Sequence, residues 1–108
     1  MLILFDQSTP VPIRPFPKGH TVRTAAQQGW DTLKNGELLT AAEEAGFDMF
    51  LTPDKSLRYQ QNLAGRKLAV VVIGNPQWPV LRLYVERVVA AVNAATPGSY
   101  SEVDIPFT

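Results

Sequence analysis

The chain has no cysteine, a single histidine, no net charge and no long apolar run, and each of these absences closes off a class of function. Without cysteine there are no disulfides, zinc-thiolate sites or cysteine nucleophiles, and the composition suits a reducing compartment, so the cytoplasm is the expected location. His20 has no placed partner for acid–base work and reads as a surface residue ahead of a strand. Ten basic and ten acidic side chains cancel. The molecule as a whole therefore supplies no steering field toward a polyanion, and any nucleic acid must be held by local groups. No apolar stretch approaches the roughly 20 residues of a membrane span, so no membrane partner is expected. The opening Met1-Leu2-Ile3-Leu4-Phe5-Asp6 lacks the basic flank and cleavage site of a secretory signal and reads as a strand.

What is present is 108 residues with 45% apolar content, enough for one core and one domain spanning 1–108. Leu2 to Phe5 is a continuous apolar run, the mark of a strand buried on both faces of a parallel sheet, and it ends at Asp6. Ser8 and Thr9 are natural caps for a short helix with Ile13 and Phe16 on its apolar face, although Pro12, Pro15 and Pro17 limit its length. Thr21 to Thr24 reads as a second strand, followed by a helical turn over Ala25 to Gly29. A helix capped by Asn35 follows, with Leu38, Leu39, Ala42 and Ala45 at helical spacing and Gly46 as its stop. Phe47 to Thr52 is rich in strand formers and is broken by Pro53-Asp54. Ser56 to Ala64 reads as a short helix closed by Gly65, and Lys67 to Ile73 as a central strand. After the turn Gly74-Asn75-Pro76, a stripe of Leu81, Val85, Val88, Val89 and Val92 marks the longest helix, running from Trp78 to about Ala95. The tail alternates loosely through Tyr100, Val103, Ile105 and Phe107, as an edge strand would. Strands alternating with helices predict right-handed crossovers onto a mainly parallel sheet.

In such sheets ligands gather at the carboxyl ends of the strands, so Asp6 and Asp54, each just past a strand, are expected to converge. Glu37, in the first turn of the helix, is the candidate third member. Carboxylates brought together repel, and a divalent cation neutralises them; oxygen-only ligands select magnesium or manganese. Taken singly, each acid is also what a turn or a helix cap requires, and the recurrence carries the inference. Lys55, Arg58, Arg66 and Lys67 form a basic group suited either to an RNA backbone or to a solvated face, with Tyr59 able to stack on a base. Gln60, Gln61 and Asn62 offer amides either to a substrate or to local backbone. Trp30 and Trp78 are expected at the rims of the core.

The acid closing the first strand in Leu4-Phe5-Asp6-Gln7, the helix opening Asn35-Gly36-Glu37-Leu38-Leu39, and Phe50-Leu51-Thr52-Pro53-Asp54-Lys55 together resemble the PIN-like domains of short prokaryotic type, a branch of the PIN nuclease superfamily. Tyr59-Gln60-Gln61-Asn62-Leu63 followed by Lys67 to Ile73 is similar to one subgroup of it. The resemblance covers nearly the whole chain. It implies a three-layer α/β/α domain with a short central sheet, and a metal-dependent ribonuclease of toxin-antitoxin type. Asp6, Glu37 and Asp54 would be catalytic, and Asp6, Asp54, Glu37 and Asn35 would hold Mg2+ or Mn2+. Lys55, Arg58, Tyr59, Gln61 and Asn62 would meet the RNA, and the partners would be a cognate antitoxin and a second copy. Where Asn35 stands, that family commonly has an aspartate; an amide ligates through its carbonyl but adds no charge. The departure leaves a second expectation, a catalytically weakened PIN-like module that binds RNA or protein. A third is a hydrolase of small phosphate esters.

Overall fold

The structure, a computed structural model, describes residues 1–60, 63 and 65–107, with the side chains of Asn35 and Gln60 also outside the description. The described residues form five parallel strands, β1 (Leu2–Phe5), β2 (Thr21–Thr24), β3 (Met49–Thr52), β4 (Ala69–Ile73) and β5 (Tyr100–Val103), in the order β2-β1-β3-β4-β5. Ile3 pairs with Val22 on one side and Met49 on the other; Leu51 pairs with Val71, and Val71 with Ser101. The α/β class expected from the alternation of elements is thus the class observed, and the expected loose tail strand is a paired edge strand.

Continuous apolar strands require cover on both faces, and both have it. On one face Ile3, Phe5, Met49, Leu51, Val71 and Ile73 pack with Ile13, Leu81, Val88 and Val92. On the other, Leu4, Phe50, Val70 and Val72 pack with Leu38, Leu39, Ala42 and Leu57. Each large side chain fully buried in this way contributes on the order of 1.5–3 kcal/mol. Helix α1 (Asn35–Glu44) and the short α2 (Leu57–Gln60) lie on the second face; α3 (Trp78–Leu81) and α4 (Val85–Ala94) lie on the first. No helix among the described residues is long and apolar enough to cross a membrane.

The face assignments correct the expectation of uniform crossovers. The chain moves from β1 to β2 over the first face, and from β2 to β3 and β3 to β4 in the opposite direction over the second face, so these three crossovers share one hand. It then moves from β4 to β5 in that same direction over the first face, so the last crossover has the other hand. The handedness rule applies to a compact strand–helix–strand unit. Here residues 74–99 pass through α3, a 3-10 turn at Arg82–Tyr84 and α4 in series, which relaxes it. The expected single long helix from Trp78 to Ala95 is accordingly three segments. The helix expected near Pro10 is only a 3-10 turn over Val11–Ile13, because its prolines lack the N–H donors a longer helix needs. Helix α1 has Lys34 at its cap position, with extended backbone, and Asn35 is its first helical residue. Its end is as read. Gly46 adopts φ 85° and donates to the Glu43 carbonyl, while Phe47 donates to that of Ala42, a paired closure that needs a residue tolerant of left-handed backbone.

Gly74 marks where β4 leaves the sheet. Its N–H donates to Val103 at 2.8 Å, and a Cβ placed there would stand 2.9 Å from the Val103 carbonyl oxygen and 3.2 Å from the Ile105 nitrogen. Because those atoms belong to backbone rather than to a flexible side chain, Gly74→Ala should destabilise the domain by about 1–3 kcal/mol, the usual range for overpacking. Urea denaturation of both proteins checks this; equal midpoints would show that β5 is not held so closely.

Candidate functional site

β1 and β3 are neighbours, but the connection leaving β1 crosses one face of the sheet and the connection leaving β3 crosses the other. The two loops part, and the crevice between them is where ligands bind in open α/β sheets. A cleft of about 550 Å³ lies there, lined by Asp6, Gln7 and Ser8 after β1, Asp31 and Leu33 after β2, Leu38 on α1, Pro53 and Asp54 after β3, and Pro76 after β4.

Behind the two acids is the hydroxyl of Thr52, the last residue of β3 and fully buried. It donates to Asp6 Oδ2 at 2.8 Å and accepts from the Asp54 N–H at 3.1 Å. Asp6 Oδ1 accepts from the Gln7 N–H at 2.8 Å, and Asp54 Oδ1 accepts from the Ser56 N–H at 3.0 Å and from its hydroxyl at 2.6 Å. Both acids are half-buried and oriented by the loops that carry them. The Asp6 N–H extends the ladder to Leu51, and the buried Thr9 hydroxyl donates to the same Leu51 carbonyl, locking the turn after β1.

Asp6 and Asp54, expected to converge, thus line one cleft. Glu37 is exposed on the first turn of α1 and is not among the lining residues, although its neighbour Leu38 is. The side chain of Asn35 lies outside the description. Asp31, which the sequence reading passed over, does line the cleft, in a loop held by a hydrogen bond from the Gln7 side-chain amide to the Asp31 carbonyl. The signal available was its position: Asp31 follows β2 as Asp6 follows β1, but the turn over Ala25 to Gly29 intervenes. Among the described residues no group of three or more histidines and acids is placed to hold one metal ion.

The basic group divides. Arg66 is paired with Glu43 at 2.7 Å and reaches Thr40, tying the segment before β4 to α1. Lys67 borders a different hollow, with Glu43 and Asp48, at the amino ends of the strands. Lys55 and Arg58 lie instead toward β5: Lys55 Nζ sits 4.6 Å above the Phe107 ring, and Arg58 stacks on Tyr59 and ion-pairs with Glu102 at 3.6 Å. The hydrogen bond to Tyr59, and Glu102 nearby, hold the Arg58 guanidinium above its ordinary pKa. Gln61 and Asn62 lie outside the described residues. His20 bonds Asn93 Oδ1 at 3.0 Å, away from the cleft lining.

Burial, and then the hydrogen bond its hydroxyl donates to Glu102, push the Tyr100 phenol up to about 12. A folded-state pKa raised above the usual 10 favours the neutral phenol in the fold. Its contribution is therefore whole below pH 10 and is lost as pH rises from 10 through 12. Denaturation midpoints should fall across that window, and the fall should be shallower in Tyr100→Phe. Parallel curves for the two proteins would contradict the assignment. Comparison of the chain with protein-family models, with curated proteins and with solved structures finds no match, so the reading of the cleft rests on its own residues.

Proposed function

We propose that the chain is a divalent-metal-dependent ribonuclease of PIN-like type, hydrolysing RNA phosphodiester bonds in the cleft between Asp6 and Asp54. The observation that carries this reading is the buried Thr52 hydroxyl, which bonds the Asp6 carboxylate and the Asp54 backbone N–H and so ties both residues to the carboxyl ends of adjacent parallel strands. Two oriented carboxylates in a crevice are an arrangement a structural cap alone does not need. Their donor set is oxygen only, which suits magnesium or manganese. Each Asp6 oxygen accepts a single hydrogen bond from the protein in the contacts above, and a carboxylate oxygen has a further lone pair to offer. Asp6 and Asp54 would hold the cation; Glu37, exposed and outside the lining, would not. Bound there, a divalent cation supplies charge stabilisation at the phosphate and a water of lowered pKa.

The chain's own part is positional. Thr52 and Gln7 fix the Asp6 carboxylate, Ser56 fixes that of Asp54, and Pro53, Pro76, Leu33 and Leu38 wall the cleft. Lys55, next to Asp54, presents an exposed cation to the RNA backbone. In the same reading an antitoxin protein restrains the enzyme, and the exposed Phe16 and Leu83 beside α4 offer it, or a second copy, apolar surface. A second reading, a module that binds RNA or protein without cutting, is favoured by the lack of any three-member metal-binding group among the described residues.

Incubation with a mixed RNA pool separates the two. The ribonuclease cuts with magnesium or manganese and not with chelator, and Asp6→Asn lowers the rate by more than the roughly 10–100-fold that losing an outer-shell partner costs. The Asp6→Asn variant stays folded, because its amide oxygen still accepts from the Thr52 hydroxyl and one of the negative charges lining the cleft is gone. RNA retained but uncut under every metal condition would establish the binding module instead, and an unfolded Asp6→Asn would show that the acid is a structural cap.

A further inference from the structure

A few residues after Asp54 in the chain, α2 carries a group that the acids do not use. Tyr59 is 76% exposed, yet it is held in place. The Arg58 guanidinium lies 4.7 Å from the centre of the Tyr59 ring and 5.8 Å from that of Tyr100, and it donates to the Tyr59 hydroxyl. Arg58 is in turn pinned by Glu102, which also accepts from the Tyr100 hydroxyl at 2.9 Å. The negative charge of Glu102 is thereby engaged within the stack. Two strongly exposed rings, Tyr59 and Phe107, flank the exposed Lys55 and Arg58, with the Lys55 ammonium 4.6 Å above Phe107. An exposed tyrosine usually loses side-chain freedom when a ligand binds it; here the Arg58 contacts favour one ring position beforehand, which lowers that cost.

We propose that the Tyr59–Arg58–Tyr100 stack is a platform for unpaired bases, receiving a single-stranded nucleic acid that continues into the Asp6–Asp54 cleft. The identity of the polymer rests on the ribonuclease reading. The single-strandedness rests on the chemistry of the stack: every base has a π face for an aromatic ring, but in a duplex those faces are covered by neighbouring bases. The platform and the cleft share one structural element. Ser56 caps onto the Asp54 carboxylate, the Leu57 N–H donates to the Asp54 carbonyl, and the fully buried Leu57 anchors α2, so Arg58 and Tyr59 begin within one helical turn of the cleft rim. Lys55, between the two, is placed to meet a phosphate of the connecting strand.

Fluorescence anisotropy of a labelled 12-residue oligouridylate, in chelator and at low salt, tests this without requiring cleavage. Wild type should bind the single strand more tightly than the oligouridylate–oligoadenylate duplex. Tyr59→Ala should weaken single-strand binding by roughly 5- to 150-fold, the range measured for loss of one base–aromatic stack, while leaving duplex binding unchanged. Tyr59→Trp should retain it. The exposed ring makes Tyr59→Ala a variant expected to fold, which circular dichroism verifies. The platform is overturned if Tyr59→Ala binds the single strand like wild type, if duplex binding falls by the same factor, or if wild type does not bind the single strand. Metal-dependent cleavage that survives such a result would leave the nuclease reading standing alone; binding through Tyr59 without any cleavage would leave the platform standing alone.

Discussion

A parallel sheet whose three central strands are apolar on both sides cannot leave either face in water, and from that constraint the rest of this molecule follows. Helical segments must cover both faces, so successive connections must leave the sheet on both sides. Where the connection from β1 and the connection from its neighbour β3 take opposite faces, their loops separate and a crevice opens. Asp6 and Asp54 line it because each is the first acid after one of those two strands. The cleft is thus a product of how the core is covered.

Thr52 converts that placement into defined geometry. Its hydroxyl has no access to water, so it needs partners within the protein, and it finds them in the Asp6 carboxylate and the Asp54 N–H. Leaving such a group unpaired would cost about 1–3 kcal/mol, so both acidic loops are tied to the end of β3 by the same requirement. After β4 a comparable latch secures the tail: the buried Asn75 donates to the Pro106 carbonyl and accepts from the Gln77 N–H, and Gly74 allows β5 to approach closely. That latch holds Phe107 under Lys55 and, through β5, places Tyr100 and Glu102 behind Arg58.

The features legible in the sequence are those decided by apolar pattern and by single stop residues. β1, β3 and β4 show as uninterrupted apolar runs, α1 is bounded at Gly46, and acids at strand ends point to Asp6 and Asp54. What is not legible is decided by tertiary context. The stripe from Leu81 to Val92 has helical period throughout, yet the backbone tightens at Arg82–Tyr84, which the side-chain pattern does not encode. The opposite hand of the last crossover depends on which face α4 covers, and a valine stripe fits either. Asp31 enters the cleft through loop folding, whereas Glu37, placed by helical phase, falls outside the lining. Four basic residues close in sequence separate because Arg66 pairs with Glu43 on α1 while Arg58 pairs with Glu102 on β5.

The central claim is that Asp6 and Asp54, which line one cleft, form a divalent-cation site. Its most direct test needs no substrate: titrate isotope-labelled protein with manganese and follow the paramagnetic broadening of backbone amide signals. A cation held between Asp6 and Asp54 broadens the amides of Gln7, Asp54 and Ser56 first, and excess magnesium restores them. Broadening that begins instead around Glu43 and Asp48, at the opposite end of the sheet, or that shows no site preference, would contradict it.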